Sequence, residues 1–281
     1  MNEFLGSAFS ERVVRLALGL EPTDPVRAAR VGTVLDVAVD GIPFPLARTR
    51  RDPAVPWWKG QDVLTRIGRR RSCRHVLLFR DGVEPTVDVR LVDDSRRYVP
   101  RRLSIPLPNP PPPGRPGRVC RPALFPGAAY DVPAGAVGVR GTVRRGGPTG
   151  PPLRWARVEA RRTSDSALAG RAHGDDRGEF LLLLGAAAVR GVELSLPVEV
   201  TVTVFGPTTP LDPATVPGSD VDPLWDLPLE VVDPAPAGQA LEFLADPVLD
   251  GEEHPPGYVS GASRALQLEL DGLESVDFEF N

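Results

Sequence analysis

The sequence predicts an all-β protein, and three observations support that prediction. Proline accounts for 33 of the 281 residues, more than twice its usual share of about 5%, and proline breaks helix interiors and central strands. Short alternating or apolar runs recur, such as GTVLDVAVDG and PTVDVRLVDD. Gly, Pro or Asp closes each run, which is typical of strands separated by turns. We therefore expect two small antiparallel β-sandwich-like domains, a proline-rich linker and an acidic C-terminal extension.

Composition divides the chain into four regions. Residues 1–105 contain RHVLLFRDGVEPTVDVRLVD, which indicates two strands joined at an Asp-Gly turn. Residues 106–132 start with PLPNPPPPGRPGR, which predicts a semi-rigid polyproline II spacer; a docking ligand for an SH3-type module is the less favoured alternative. Strand-like runs resume in residues 133–205. Residues 206–281 lose almost all basic side chains but keep strand-like alternation in LWDLPLEVVD and VDFEFN.

The net charge of −4 conceals a strong asymmetry along the chain. Residues 1–122 contain 22 Lys and Arg against 13 Asp and Glu, or +9, whereas residues 206–281 contain 1 against 16, or −15. We expect the acidic extension to dock on a basic surface, either in this chain's own first unit or in a neighbouring subunit. Exposed ion pairs contribute only about 0–1 kcal/mol each, so apolar side chains should stabilise most of this contact. Those side chains are Trp225, Leu227, Phe243, Phe278 and Phe280.

The stretch RAHGDDRGEFLLLL, residues 171–184, raises the question of a metal site. Four of its side chains have ligand chemistry: His173, Asp175, Asp176 and Glu179. The chain has only three histidines, and the stretch lacks both zinc and calcium-loop spacings. We therefore predict no metal and favour a tight turn, in which Gly178 has a positive φ and Phe180 enters a buried strand. In that case, replacing His173 and Asp176 with alanine should leave the melting temperature unchanged.

The run LRWARVEARR predicts a two-faced strand. Alternation places bulky and charged side chains on one face: Trp155, Arg157, Glu159 and Arg161. The small side chains fall on the other face: Ala156, Val158 and Ala160. We expect the small residues to face the core and the bulky face to be left for a neighbouring protein. An ordinary solvated strand face is the alternative.

Several functional classes find no support in the sequence. Trp57 and Trp58 stand near Arg51 and Lys59, where they could stack on bases, but tandem tryptophans beside prolines are more typical of a loop corner or a protein interface. With a pI of about 5.5 and no nucleic-acid motif, we predict no nucleic-acid partner. No G-x-S-x-G or phosphate loop occurs, so we predict no enzymatic activity and no cofactor.

The compartment is predicted from two further absences in the sequence. No run of about 18 apolar residues and no signal-peptide pattern occurs, which predicts a cytoplasmic protein without membrane insertion. Cys73 and Cys120 are far apart and form no CxxC pair, so we expect neither a zinc site nor a disulfide.

Residues 137–205 resemble the carboxypeptidase regulatory-like domain, a prealbumin-like β-sandwich. The shared pattern is G-x-V, a Gly/Pro-rich loop, P-L-x-G-A-x-V, a variable hairpin and D-x-x-G-x-F. The positions that match it are Gly141, Val143, Pro152, Leu153, Ala156, Val158, Asp175, Gly178 and Phe180. The sequence departs at Trp155, where the family has a small residue, and lacks the closing P-G-x-Y. Such domains are noncatalytic folding or adhesion modules, so the resemblance implies scaffolding.

The layout of the chain and its RRYVPRRL segment are similar to accessory proteins of phage-tail-like contractile injection systems. This resemblance implies a structural or adaptor subunit of a larger cytoplasmic assembly, with other protein subunits as partners. A stand-alone β-sandwich module that binds a carbohydrate or another ligand is the alternative. The predicted interface residues are Trp57, Trp58, Trp155, Arg157, Trp225, Phe243, Phe278 and Phe280.

Overall fold

The computed structural model is described over most of the chain. The described residues are 15–39, 66–69, 75–79, 86–106, 119–185, 197–215, 219–220, 222–232, 254–269 and 272–280. Regular structure in these ranges consists of β-strands and one 3₁₀ turn at Pro213–Thr215, so the all-β prediction is confirmed. None of the described segments forms a helix with the length and apolar character needed to cross a membrane.

Eighteen strands are found in the described ranges. In chain order they are β1 (Arg15–Leu20), β2 (Thr23–Asp24), β3 (Ala29–Arg30), β4 (Asp36–Val39), β5 (Arg66–Arg69), β6 (His75–Phe79), β7 (Thr86–Val92), β8 (Arg101–Pro106), β9 (Val119–Cys120), β10 (Gly138–Arg145), β11 (Arg157–Arg162), β12 (Leu168–His173), β13 (Glu179–Leu183), β14 (Val198–Pro207), β15 (Leu229–Val231), β16 (Tyr258–Leu268), β17 (Leu273–Ser275) and β18 (Phe278–Phe280).

Strands of the N-terminal half form two four-stranded sheets and a small β2-β3 pair. The strand orders are β5-β6-β1-β9 and β15-β8-β7-β4, and the second sheet takes its edge strand β15 from residues 206–281. Burial alternates along β7 and β8, as the period of two in a half-buried strand requires. The buried side chains form a first core, which includes Leu18, Leu20, Val87, Val89, Leu91, Leu103, Ile105, Cys120, Leu124 and Tyr130. Residues 119–132, within the range predicted as linker, therefore contribute to this core, whereas residues 107–118 lie outside the described ranges.

The C-terminal half pairs a β13-β10-β17 sheet, with β18 also on β10, against a β12-β11-β14-β16 sheet. A second core fills the space between them and includes Val139, Val143, Ala156, Val158, Ala160, Phe180, Leu182, Val200, Val202, Phe278 and Phe280. The predicted orientation of the small side chains of β11 is thereby confirmed. Strands β16, β17 and β18 come from residues 206–281, so the acidic region completes both sheets around the second core.

Strand β13 contributes side chains to both cores. Phe180 and Leu182 belong to the second core, and Leu181 and Leu183 belong to the first. A strand that is buried on both faces needs a continuous apolar run instead of alternation, which explains the sequence FLLLL. The two cores therefore pack on opposite faces of one strand.

Candidate functional site

The stretch that suggested a metal site forms a tight turn. Asp175 Oδ1 accepts hydrogen bonds from the backbone N–H groups of Arg177, at 2.8 Å, and Glu179, at 3.0 Å. Gly178 has a φ of +72°, as predicted, and the chain then enters β13 through Phe180. Across the described part of the chain, no group of three or more His, Cys, Asp or Glu side chains is placed to hold a metal ion. Asp175 therefore acts here as a turn-forming side chain.

His173, in the same stretch, is a buried residue at the contact between the two halves. Its side chain is 1% exposed, and its ring stacks on Phe125 with centroids 4.0 Å apart. Neither ring nitrogen has a hydrogen-bond partner among the described residues. Because alanine at His173 would remove a buried stacked ring, we now expect the double replacement of His173 and Asp176 to lower the melting temperature.

The bulky face of β11 is covered by the chain itself. Trp155 is 2% exposed, Arg157 4% and Glu159 3%, so the expectation of a face left open for a neighbouring protein is wrong. Trp155 packs with Val99 and Leu227, and its indole N–H donates to Asp226 Oδ1 at 2.8 Å. Residues from the N-terminal half and from the acidic region therefore cover this face together.

Beside this face lies a cluster of buried and half-buried charges that we call the charged junction: Arg101, Arg157, Glu159, Arg171 and Glu230. Glu230 accepts hydrogen bonds from Arg157 Nη2, at 2.9 Å, and from Nε and Nη2 of Arg101. Arg101 is fully buried and also donates to the Ala123 carbonyl at 2.7 Å. Because Arg101 lies on β8, Arg157 on β11 and Glu230 on β15, one carboxylate from the acidic region links both halves of the chain.

The second carboxylate of the charged junction is also paired. Glu159 accepts hydrogen bonds from Arg171 Nε at 3.0 Å and from Arg161 Nη2 at 3.3 Å. His254 Nε2 lies 3.7 Å from Glu159 Oε1. Both junction carboxylates are thus bound by guanidinium groups, which are hydrogen-bond donors and have no acceptor atom. This arrangement suits a structural contact better than acid–base catalysis.

Two of the three histidines, His173 and His254, lie beside the charged junction. His173 and His254 line one cavity of about 10 Å³ together with Arg157, Glu159 and Arg171. Burial lowers the pKa of His173 well below its ordinary value, and the positive charges of Arg157 and Arg101 lower it further. Burial also lowers the pKa of His254, although Glu159 opposes that shift. The histidines appeared scattered in the sequence because 81 positions separate them.

Other acidic residues of the C-terminal region pair with this chain's own arginines. Asp222 binds Arg90 on β7, and Asp226 binds Arg154 at 2.7 Å. Asp222 and Glu230 thus contact arginines of the N-terminal half, as expected for docking within the chain, whereas Asp226 contacts an arginine of the C-terminal half.

Next to the charged junction, the loops at one end of the second core form a surface that we call the proline-lined groove. Its lining comes from residues 151–155, 207–211, 225–229 and 255–258, with Arg102 and Arg145. The groove has a volume of about 550 Å³, within the range of ligand sites in proteins, about 300–1,000 Å³. Leu153, Trp155 and Leu227 are buried, whereas Trp225 and Tyr258 are partly exposed. The groove therefore offers an apolar surface that is open to solvent.

The predicted interface residues fall into four groups. Trp225 lines the groove, and Trp155 and Arg157 lie beneath the covering segment. Phe278 and Phe280 are buried in the second core, where they attach the acidic region to the rest of the chain. Trp57, Trp58 and Phe243, like Cys73, lie outside the described ranges, whereas Cys120 is buried in the first core.

Sequence reasoning missed the groove as a site because its lining residues come from separate segments. Seven prolines line the groove, and in the sequence they resemble ordinary turn residues: Pro151, Pro152, Pro207, Pro210, Pro228, Pro255 and Pro256. One local signal for this site was the sequence LWDLPLE, residues 224–230, in which apolar and acidic residues alternate. No protein-family model matches the chain, and a search of curated proteins found no similar sequence.

Proposed function

We propose that the protein is a noncatalytic structural or adaptor subunit of a larger cytoplasmic assembly, and that it binds a partner protein in the proline-lined groove. The proposal rests on the groove itself, which has a volume of about 550 Å³ and an apolar lining that includes the partly exposed Trp225. Tryptophan is enriched among the residues that dominate the binding energy of protein interfaces. An open groove of this kind favours a binding role.

The architecture around the groove supports the adaptor role. We propose two small β-sandwich-like domains, a proline-rich linker and an acidic extension that ties the domains together. The extension forms the parallel pair of β15 with β8 and the contacts of Glu230. Because β13 and the charged junction connect the two halves, the groove rests on a rigid support, and a rigid site loses little entropy on binding.

The noncatalytic part of the proposal is supported by the charged junction. A general base needs a carboxylate or a neutral histidine that can reach a substrate. Glu159 and Glu230 are each 4% exposed or less and are held by guanidinium groups. The likeness of residues 137–205 to carboxypeptidase regulatory-like modules also suits a scaffolding role, and a phage-tail-like contractile injection particle is the assembly that we propose.

The proposal is tested by affinity capture of the tagged full chain from cells that make it, followed by electron microscopy of the captured material. We expect the chain to be recovered with an assembly, and we expect Trp225→Ala to lower that recovery about tenfold or more, as loss of an interface tryptophan does. Leu168→Ala is the matched control, because Leu168 is 43% exposed but lies opposite Arg161, at the far end of β11. Recovery of the chain without any partner would contradict the proposal.

A stand-alone carbohydrate-binding module is the second candidate. It is favoured by the position of Trp225 and Tyr258 at the loops of a sandwich, since aromatic rings with a polar tip suit partly wet sites. Titration of the full chain with neutral oligosaccharides, followed by Trp fluorescence, separates the candidates. Saturable sugar binding that Trp225→Ala removes would favour the module over the adaptor.

A further inference from the structure

The chemistry of the groove's own wall shows which kind of segment this surface accepts. In the stretch Trp225–Leu227, an acidic residue stands between two apolar ones. Asp226 binds Arg154 at 2.7 Å and the Trp155 indole at 2.8 Å, while Leu227 is 2% exposed. One wall of the groove is thus itself a stretch in which an acidic residue stands between apolar ones.

The same chemistry recurs in β15. Its central residue, Glu230, binds two arginines, whereas its flanking residues are the apolar Leu229 and Val231. In both stretches a guanidinium binds the acid, and beside Asp226 the apolar Leu227 is buried. Acidic residues next to apolar ones therefore find arginine partners on this part of the molecule.

The described lining of the groove carries a positive charge at Arg145. Its charged lining residues are Arg102, Arg145, Arg154 and Asp226, and Asp226 pairs with Arg154. Arg145 is fixed in place, because its Nη2 donates to the Pro207 carbonyl at 2.7 Å and its guanidinium lies 5.2 Å from the centre of the Phe280 ring. A guanidinium carries five N–H donors. The hydrogen bond to Pro207 uses Nη2, so other N–H groups of Arg145 can donate to a carboxylate of a ligand.

The prolines define the shape of segment that fits. Proline has no backbone N–H and a fixed φ, so these walls present rings and carbonyl oxygens in a rigid arrangement. A partner must supply the N–H donors itself, as an extended peptide does through its backbone. Leu211, which is 59% exposed at the edge of the groove, adds apolar surface for aliphatic side chains.

We propose that the groove binds an extended segment of a partner protein in which acidic residues alternate with aliphatic ones. Arg145 binds a carboxylate of the segment, and Trp225 packs against an aliphatic side chain. This inference rests on the proposed function and names the partner chemistry. Opposite charge selects this segment over a basic one and speeds its association, whereas a neutral sugar forms no ion pair with Arg145.

The test uses the full-length protein and three fluorescent peptides of equal length, with the sequences LDLDPLDL, LNLNPLNL and LKLKPLKL. Fluorescence anisotropy should show saturable binding of the aspartate peptide, weaker binding of the asparagine peptide and none of the lysine peptide. Arg145→Gln should weaken binding of the aspartate peptide about tenfold, the loss typical of a hydrogen bond to a charged group. Trp225→Ala should weaken the binding of both the aspartate and the asparagine peptide.

Arg140→Gln is the matched control. Arg140 is an exposed arginine on the same strand as Arg145 but pairs with Ser275 at the other end of β10. The Arg140→Gln variant should bind the aspartate peptide with the same affinity as the native protein. Equal binding of all three peptides, or equal loss in the Arg140 and Arg145 variants, would overturn the inference.

Failure of the inference can be distinguished from failure of the proposed function. If capture of the assembly depends on Trp225 but the aspartate peptide does not bind, the adaptor role stands and the partner chemistry is wrong. If the peptide binds as expected but no assembly is captured, the partner chemistry stands and the adaptor role fails. Saturable binding of a neutral sugar in place of the peptides would contradict both.

Discussion

Glu230 and Arg157 form a hydrogen bond of 2.9 Å although 73 positions separate them in the chain. The same carboxylate binds Arg101, so a single acidic side chain joins a strand of the N-terminal half to a strand of the C-terminal half. Both arginines are buried, at 0% and 4% exposure. One buried carboxylate thus binds two buried guanidinium groups.

We expect Glu230→Gln to destabilise the protein by about 3–5 kcal/mol, the range found when one partner of a buried ion pair is removed. The physical reason is that the buried guanidinium of Arg157 would lose the carboxylate to which it donates, while Arg101 would lose its ion pair with the same carboxylate. Urea unfolding followed by Trp fluorescence measures the change. Glu279→Gln removes an equal charge from an exposed position of β18 and should change the free energy of unfolding by less than about 0.5 kcal/mol. Equal effects of the two variants would show that the charged junction does not hold the halves together.

Gly178→Ala should destabilise the protein more than Gly146→Ala does. The two glycines have nearly the same φ, +72° and +70°, so alanine meets similar backbone strain at both positions. They differ in surroundings, because an added Cβ at Gly178 would lie 2.6 Å from the Val143 carbonyl oxygen, whereas Gly146 has nothing within 4 Å. We expect a cost of about 1 kcal/mol at Gly146 and a clearly larger one at Gly178. Thermal unfolding of both variants measures the difference, and equal melting temperatures would exclude the close contact.

Stability should fall as the pH is lowered through the ordinary pKa of histidine. The pKa of His173 in the folded protein lies well below 6.5, so between the two pKa values the unfolded chain binds more protons than the folded one. The stabilisation is therefore fully present above about pH 6.5 and is lost as the pH falls below it, at up to about 1.4 kcal/mol per pH unit. The lowered pKa of His254 acts in the same direction.

The contribution of His173 to this pH dependence is measured with His173→Phe, which keeps an aromatic ring beside Phe125 but cannot gain a proton. Urea unfolding at pH 7.5 and 5.5 should show a loss of about 1.4 kcal/mol from His173 in the native sequence. The variant should show a correspondingly smaller loss. An unchanged pH dependence in the variant would mean that His173 titrates normally in the folded protein.

Phe280→Ala should destabilise the protein by about 3–5 kcal/mol, as removal of a buried phenylalanine does. Phe280 is 2% exposed, and its ring lies so close to Gly261 that an added Cβ there would be 2.3 Å from Cε2. Gly261→Ala should therefore also destabilise the protein, because it forces this ring to move. Glu279→Ala, at the exposed neighbouring position, serves as the control, and chemical unfolding measures all three. Wild-type stability of Phe280→Ala would show that the last strand adds little to the second core.

The sequence by itself determined the local features of this protein. The alternation in β7, β8 and β11 depends only on the period of two in a strand, so the inward placement of Ala156, Val158 and Ala160 could be predicted. The positive φ of Gly178 followed from the Asp and Gly content of one turn. The excess of acidic residues in residues 206–281 was enough to predict that this region contacts basic side chains.

Only the tertiary structure decided which residues meet. Alternation separated Trp155 and Arg157 from the core side chains but could not show that residues 224–230 cover them, since that contact spans some 70 positions. Charge predicted that the acidic region would dock, but it could not identify Arg101 and Arg157 as the partners of Glu230. The lining of the groove comes from segments that are far apart in sequence. Periodicity and turn chemistry act between near neighbours, whereas strand pairing and ion pairing join distant residues through packing that the whole chain sets.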